Sequence, residues 1–294
     1  MSEISRKQNL DHNIDLLIAQ RFYYSQAKKI RNFRIAISII FALLSPFIIF
    51  YITNWSAIIG TIGGTWAIIS YILKKLFENS NIEKAAKIQE EFDTSLFDMD
   101  WNTVLVGEKI SCEEINHAKK KFKGDIEKLK DWYSDVSKFS YPADVLLCQR
   151  SNLVWDWRLK RKYAITIIII TLLYFISTII ICSILDLKVA EYILGLFLPA
   201  LSGYFIAIDE GIDHFKASIK RKNLENKINE LSELALSNQK ALNITNLRQI
   251  QDCIFEFRKG PMVADFFYWF FRDDFENNMK NALDSFRKKL TKKE

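Results

Sequence analysis

The pairing with the widest chemical scope in this sequence is an arginine beside a ring, because a guanidinium grips phosphate and an aromatic face stacks on a nucleobase. It occurs twice around a Gln-Arg dipeptide. Gln20-Arg21 runs into Phe22-Tyr23-Tyr24, and Gln149-Arg150 is followed by Trp155, Trp157 and Arg158. Gln20, Arg21, Gln149, Arg150, Trp155 and Arg158 are therefore candidate contacts for an anionic ligand that carries bases. Anchorage is the plainer reading of the same residues, since rings and cations also hold helices at a membrane surface. Elsewhere the chemistry is thin. Gly60-Thr61-Ile62-Gly63-Gly64 has the glycines of a phosphate loop but no Lys-Ser/Thr to grip phosphate and magnesium. His12, His117 and His214 have no partner at ligand spacing, and neither H-E-x-x-H nor G-x-S-x-G occurs. Cys112, Cys148, Cys182 and Cys253 are far apart without a C-x-x-C pair and read as reduced thiols. No enzyme, metal site or cofactor is expected.

The elements that must carry these residues follow from where the apolar side chains lie. The chain has 294 residues, 49% of them hydrophobic, with only 9 Gly and 4 Pro. Strand-and-turn folds need more punctuation, so the expected class is all-α. Four runs hold most of the Ile, Leu and Phe: 35–52, 56–73, 163–185 and 189–208. Each is about the length a helix needs to cross the hydrocarbon. Thr53-Asn54-Trp55 and Asp186-Leu187-Lys188 are the only links within each pair, so the spans form two hairpins. About thirty polar residues precede the first span, which is expected to remain as an anchor rather than be cleaved.

Cations set the orientation. Arg21, Lys28, Lys29, Arg31 and Arg34 precede the first span, Lys74 and Lys75 follow the second, and Arg158, Lys160, Arg161 and Lys162 precede the third. The hairpin tips hold only Lys188, beside Asp186 and Glu191. The positive-inside rule then puts both termini and the central segment in the cytoplasm. The expected organisation is an amphipathic N-terminal helix over 1–34, a hairpin over 35–73, a cytoplasmic helical region over 74–162, a second hairpin over 163–208 and a cytoplasmic helical region over 209–294. A net charge of +6 needs no DNA or RNA polymer to explain it, although a basic face would also attract anionic lipid or an anionic ligand.

Both halves read as polar helix, membrane hairpin and long polar helix, each approached through a Gln-Arg block, which suggests a degenerate twofold repeat about the membrane normal. Leu76 to Asp98, Ser111 to Trp132, Asp209 to Leu236 and Val263 to Lys289 are expected to be helical, with Pro142 between the halves and a break at Gly260-Pro261. Helices that leave the bilayer without a linker would couple stiffly to the spans. The Ile-rich first and third spans suit lipid, whereas the second and fourth hold the small residues. Gly60 and Gly64 form a G-x-x-x-G, Gly195, Pro199 and Gly203 recur at four-residue steps, and Thr61 and Thr65 could line an aqueous path. Close packing within one subunit is the simpler role for these glycines, and hydroxyls also bond to their own helix. The absence of charge inside the spans speaks against ion-coupled transport. The run Phe266 to Phe271 is too short to span and suits a cytoplasmic core or a membrane-surface helix.

Several blocks also resemble a known family. Ile4, Arg6, Gln8-Asn9, Leu16-Leu17, Ala19-Gln20-Arg21, Tyr24-Ser25 and Ala27-Lys28 resemble the N-terminal signature of the SMODS- and SLOG-associating four-transmembrane effectors of bacteria. The similarity continues through Asp131 to Val136, where the family more often has proline in place of Ser134. It returns at Cys148 to Asp156, and at Ile250-Gln251-Asp252 with Phe255, Arg258, Pro261 and Asp265-Phe266-Phe267-Tyr268. The resemblance implies a pore-forming effector of antiphage signalling in the bacterial inner membrane. A cyclic oligonucleotide, or a product of it, would be the activating ligand, and loss of membrane integrity would abort the infection. Four spans enclose little space, so a conducting pore would be a homo-oligomer. Two other readings stay open: a non-conducting scaffold that recruits a cytoplasmic partner, and a constitutive small-solute channel.

Overall fold

The computed structural model describes residues 3–51, 55–137, 139–152, 156–237, 242–265 and 267. Every α-, 3₁₀- or π-element among them is helical. In chain order these are α1 (Glu3–Lys7), α2 (Asp11–Tyr51), α3 (Ser56–Leu73), α4 (Asn79–Phe97), α5 (Thr103–Val106), α6 (Cys112–Lys121), α7 (Ala143–Ser151), α8 (Asp156–Ile184), α9 (Val189–Tyr192), α10 (Leu198–Ser237) and α11 (Ile244–Arg258). A π-helical turn, Lys74–Glu78, joins α3 to α4, and another, Ile193–Phe197, joins α9 to α10. Four helical stretches are long and apolar enough to cross a membrane: Asp11–Tyr51, Ser56–Phe97, Trp157–Ile184 and Val189–Leu231. The all-α fold with four candidate spans is as expected.

Local chemistry accounts for several helix ends. Ser111 caps α6, its hydroxyl accepting from the Glu114 N–H at 3.4 Å, with Glu113 and Glu114 in the first turn and Lys119 to Lys121 in the last. Acid at the N-terminus and base at the C-terminus oppose the helix dipole. That helix stops at Lys121 rather than reaching Trp132. Phe122 turns extended, Gly124 follows, and only a 3₁₀ turn, Glu127–Leu129, remains before Asp131 at φ 52°. Asn243 and Asn246 cap α11 reciprocally, and Lys259-Gly260-Pro261 ends it as the Gly-Pro pair predicts. The expected helix from Val263 lies outside the described residues apart from Val263, Ala264, Asp265 and Phe267; Val263 and Ala264 are not helical, and Phe267 is buried.

The chain divides into two compact units. The first comprises Met1–Tyr24, Ile82–Arg161 and Lys216–Glu294. Its core gathers Leu16, Leu17 and Ile18 of α2, Ile88, Phe92 and Leu96 of α4, Leu146 and Leu147 of α7, and Leu247, Ile250 and Ile254 of α11. Ile88, Phe92 and Leu96, and likewise Leu247, Ile250 and Ile254, recur at three- and four-residue intervals, as the buried stripe of an amphipathic helix does. The second unit comprises Ser25–Asn81 and Lys162–Phe215 and holds the apolar runs. Its outer surface is Ile, Leu and Phe: Leu43, Ile68, Ile170, Leu173 and Phe205 are all more than half exposed. Its interior contains Arg31, Arg34, Ser38, Ser70, Glu78, Glu210 and His214, each buried. A water-soluble domain has the opposite arrangement, and a bundle in lipid has this one.

Candidate functional site

In the first unit, α4 presents Glu90 and Asp93 on one helical face, and both are fully buried. Buried carboxylates require partners. Helix α11 supplies them. Arg258 donates to Asp93 Oδ2 at 2.6 Å, Arg248 to Glu90 Oε1 at 2.6 Å, and Gln251 Nε2 to Glu90 Oε2 at 2.8 Å and Asp93 Oδ2 at 3.0 Å. Arg248 also bonds Asp252 on its own helix. Gln149 of α7 donates to the Leu247 carbonyl at 2.9 Å and to Gln251 Oε1 at 3.1 Å. The Tyr133 hydroxyl donates to Asp93 Oδ1 at 2.8 Å and accepts from Asn152. Gln8 in turn clasps the Tyr133 backbone, accepting from its N–H and donating to its carbonyl. Burial pushes the Glu90 carboxyl above its usual range despite Arg258, and burial beside Asp93 pushes the Tyr133 phenol well up. Burial opposes the charge on Arg258, yet Asp93, Tyr133 and Glu90 outweigh it and raise its pKa.

The C-terminal turn of α11 is held from three further helices. Arg221 of α10 donates to the Phe257 carbonyl at 2.8 Å, Tyr24 of α2 to the Arg258 carbonyl at 3.2 Å, and Lys160 of α8 to the Pro261 carbonyl. Helix C-termini leave carbonyls unsatisfied and carry partial negative charge, so cations belong there. Burial lowers the Arg221 pKa to about 9, and the Phe257 ring lies 5.1 Å from its guanidinium carbon. Helix α11 is thus touched by α2, α4, α7 and α10, and Pro261 just beyond its end by α8; α2, α8 and α10 are continuous with apolar runs and α4 is joined to one through the π-turn.

The candidate ligand residues fall into two classes. Arg21 and Arg158 are exposed, and the Arg158 guanidinium carbon lies 5.2 Å from the Trp157 ring. Lys222 lies over the same ring at 5.3 Å, and the indole N–H bonds Glu225 at 2.7 Å. Gln20, Gln149 and Arg150 are buried. Gln149 serves the α11 network, and Arg150 Nε donates to Asn229 at 3.4 Å, its pKa lowered by burial against the pull of Glu225. Trp155 lies outside the described residues. No cluster of metal-ligating side chains occurs among the described residues.

In the second unit the small residues separate by contact. A Cβ on Gly60 would lie 2.5 Å from the Leu194 carbonyl oxygen, and one on Gly63 would lie 2.4 Å from Pro199 Cα, so these two glycines seat α3 against the Ile193–Phe197 turn and the start of α10. Gly64 faces open space. The close-contact pair is therefore Gly60 and Gly63, one helical turn apart. Gly195 meets Ile49, and Gly203 lies beside the Ser38 carbonyl at van der Waals range. Thr61 and Thr65 are exposed, their hydroxyls bonded back to the Ala57 and Thr61 carbonyls at 2.8 Å each.

Two of the flanking cations are internal. Arg31 holds Glu210 through two bonds, 3.1 and 2.8 Å, and Tyr163 at 3.0 Å, while His214 Nε2 lies 3.3 Å from Glu210. Arg34 donates to the Ser70 carbonyl at 2.8 Å and pairs with Glu78. Hydropathy gave no sign of these pairs, because Glu78 and Glu210 fall just outside the apolar runs. A signal existed in spacing: each lies within one or two turns of a span end, opposite a cation at the same depth.

The whole chain can be placed among known proteins on these features. The family model for the SMODS-associating 4TM effector domain matches residues 2–286. The chain belongs to that family. A relative of this 4TM effector in Bacillus cereus strain VD146, described as a "Probable CBASS effector molecule", is 37% identical over 276 residues, covering 90% of this chain and 91% of the relative. No solved structure matches this chain. The blocks that carry the family resemblance supply Gln8, Tyr133, Gln149, Asn152, Gln251 and Arg258 to the α11 network.

Proposed function

We propose that this 4TM effector is a membrane-permeabilising switch of CBASS antiphage defence, turned on by a cyclic oligonucleotide or a product of it. The observation that carries the reading is the grip on α11. A helix held by four others, through buried charge on one side and its C-terminal carbonyls on the other, is an element whose displacement would disturb all of them together. Arg21 and Arg158, the exposed members of the two arginine-aromatic blocks, are the proposed phosphate contacts, with Trp155 against a base and Gln20, Gln149 and Arg150 supporting the helices that present them. The family and the Bacillus cereus relative support the signalling context.

In this reading the second unit lies in the bacterial inner membrane with both termini cytoplasmic. Several copies assemble, because four spans enclose too little space to conduct ions. Loss of the membrane barrier would stop the infected cell before phage release. The test is leakage from liposomes loaded with a self-quenched dye and carrying the purified full chain, challenged in turn with cyclic di- and trinucleotides. Release with one nucleotide and none with the others is the expected result, and Arg21→Ala together with Arg158→Ala should abolish it. Silence toward every nucleotide, with no conductance in planar bilayers, would leave a non-conducting scaffold as the better account. Release without any addition would favour a constitutive channel.

A further inference from the structure

Proline in a membrane helix frees a carbonyl, and the helix must find that carbonyl another donor. Pro46 lies within α2, so its missing N–H leaves the Ala42 carbonyl without its helical partner. Two hydroxyls take its place: Ser45 Oγ donates to Ala42 O at 3.1 Å, and the Tyr174 hydroxyl from α8 donates to it at 2.5 Å. The Tyr174 ring packs against that of Tyr204 on α10, with centroids 5.8 Å apart. Thr178, one turn beyond Tyr174, donates to its own Phe175 carbonyl at 2.7 Å and lies 3.3 Å from the Tyr192 hydroxyl of α9. Ser45, Tyr174, Thr178, Tyr192 and Tyr204 thus bring hydroxyls from α2, α8, α9 and α10 together in the second unit, Ser45, Thr178 and Tyr204 buried and Tyr174 and Tyr192 half-buried.

Tyr204 makes this cluster more than the repair of a proline. It is 8% exposed, stacked on Phe197 and edge-on to Phe175, and its hydroxyl adjoins Thr178 without a well-formed hydrogen bond among the described residues. A buried hydroxyl with no partner costs ~1–3 kcal/mol, more in a bilayer where no bulk water is at hand. Neighbouring hydroxyls that can each donate and accept are the setting in which a buried water bridges such a group. Tyr192 lies one turn from Lys188 in the hairpin tip, so the cluster begins near the outer end of the fourth span.

We propose that these five hydroxyls form a hydrated seam between the first, third and fourth spans, wet in the resting protein, and that it is the polar wall of the path that opens on activation. Each subunit then contributes to the lining from its first, third and fourth spans rather than from the Thr61 and Thr65 face of α3. Its second half rests on the permeabilising reading above, whereas the hydration of the seam does not.

The test uses the full chain in liposomes with its four native cysteines replaced. Single cysteines are placed in the seam (Ser45→Cys, Thr178→Cys) and on the lipid-facing surface (Leu44→Cys, Ile176→Cys), where the native side chains are 50% and 51% exposed. N-ethylmaleimide dissolves in the bilayer and reaches all four positions, but it reacts with thiolate, which forms only where water can solvate it. The seam cysteines should react at least about tenfold faster than the lipid-facing pair. Equal, slow rates at both seam positions would overturn the proposal whatever any nucleotide does. In the dye assay, Tyr204→Phe should reduce triggered release about fivefold, the worth of one hydrogen bond to permeating water. Unchanged release would remove the seam from the path while leaving the permeabilising reading intact. No release from the wild type would remove that reading and leave the thiol rates to decide hydration.

Discussion

Glu90 is the residue whose position has the sharpest consequence. Its carboxyl is fully buried, and although Arg248, Gln251 and Arg258 surround it, burial outweighs them and raises its pKa above 4.5. The folded chain therefore holds the Glu90 proton more tightly than the unfolded chain does. By linkage, the cost of ionising Glu90 is fully present above its folded pKa and is relieved as pH falls through that value toward 4.5. Glu90→Gln keeps an oxygen to accept from Gln251 and leaves Arg248 its second partner, Asp252, and Arg258 its partner Asp93. Thermal melts of wild type and Glu90→Gln in detergent should show the variant gaining relative to wild type at neutral pH, with the gap closing on acidification. A gap that widens toward acid would mean that the ion pairs dominate.

At the scale of elements, α3 is decided by two of its three glycines. The ideal Cβ at Gly60 lies 2.5 Å from a backbone oxygen, which cannot rotate away, so Gly60→Ala must separate α3 from the Ile193–Phe197 turn. Overpacking of this kind costs ~1–3 kcal/mol. Gly64→Ala meets nothing within 4 Å and exchanges glycine for the best helix former, so it should be neutral or stabilising by up to ~1 kcal/mol. Melting temperatures in detergent decide this, and equal losses in the two variants would contradict the packing. The G-x-x-x-G spacing singles out Gly60 and Gly64 on α3. It could not tell Gly63 from Gly64, because adjacent residues lie 100° apart and only the partner helix selects between them.

For the whole molecule, the orientation is the property that charge governs. Arg31, Arg34 and Lys74 pair with Glu210, Glu78 and Asp209, and Lys28, Lys29, Lys75, Arg158, Arg161 and Lys162 add positive charge beside the same span ends. Alkaline phosphatase, active only outside the cytoplasm, should be active when inserted at Asp186 to Lys188 and inactive when fused after Glu294, with a fluorescent protein giving the reverse pattern. Activity at the C-terminus would invert the topology and with it the side from which a ligand could arrive.

Length, hydropathy and flanking charge are properties of a segment taken alone. The sequence was therefore enough for the all-α class, the four spans, the break at Gly260-Pro261 and the N-terminal cap of α6. Which side of each helix faces which neighbour is not such a property. The third span buries only 6% of its apolar window and the fourth 33%, as the Ile-rich and Gly-rich compositions suggest, but the first and second each bury 22% despite equally different compositions. Arg31 and Gln149 looked like surface groups for a headgroup or a ligand, because a cation or amide in a polar stretch gives no sign of whether a carboxylate or amide waits 179 or 102 residues away. Those partners meet only when the helices pack. The electrostatic gain of a buried pair depends on separation in space, which a linear chain does not record.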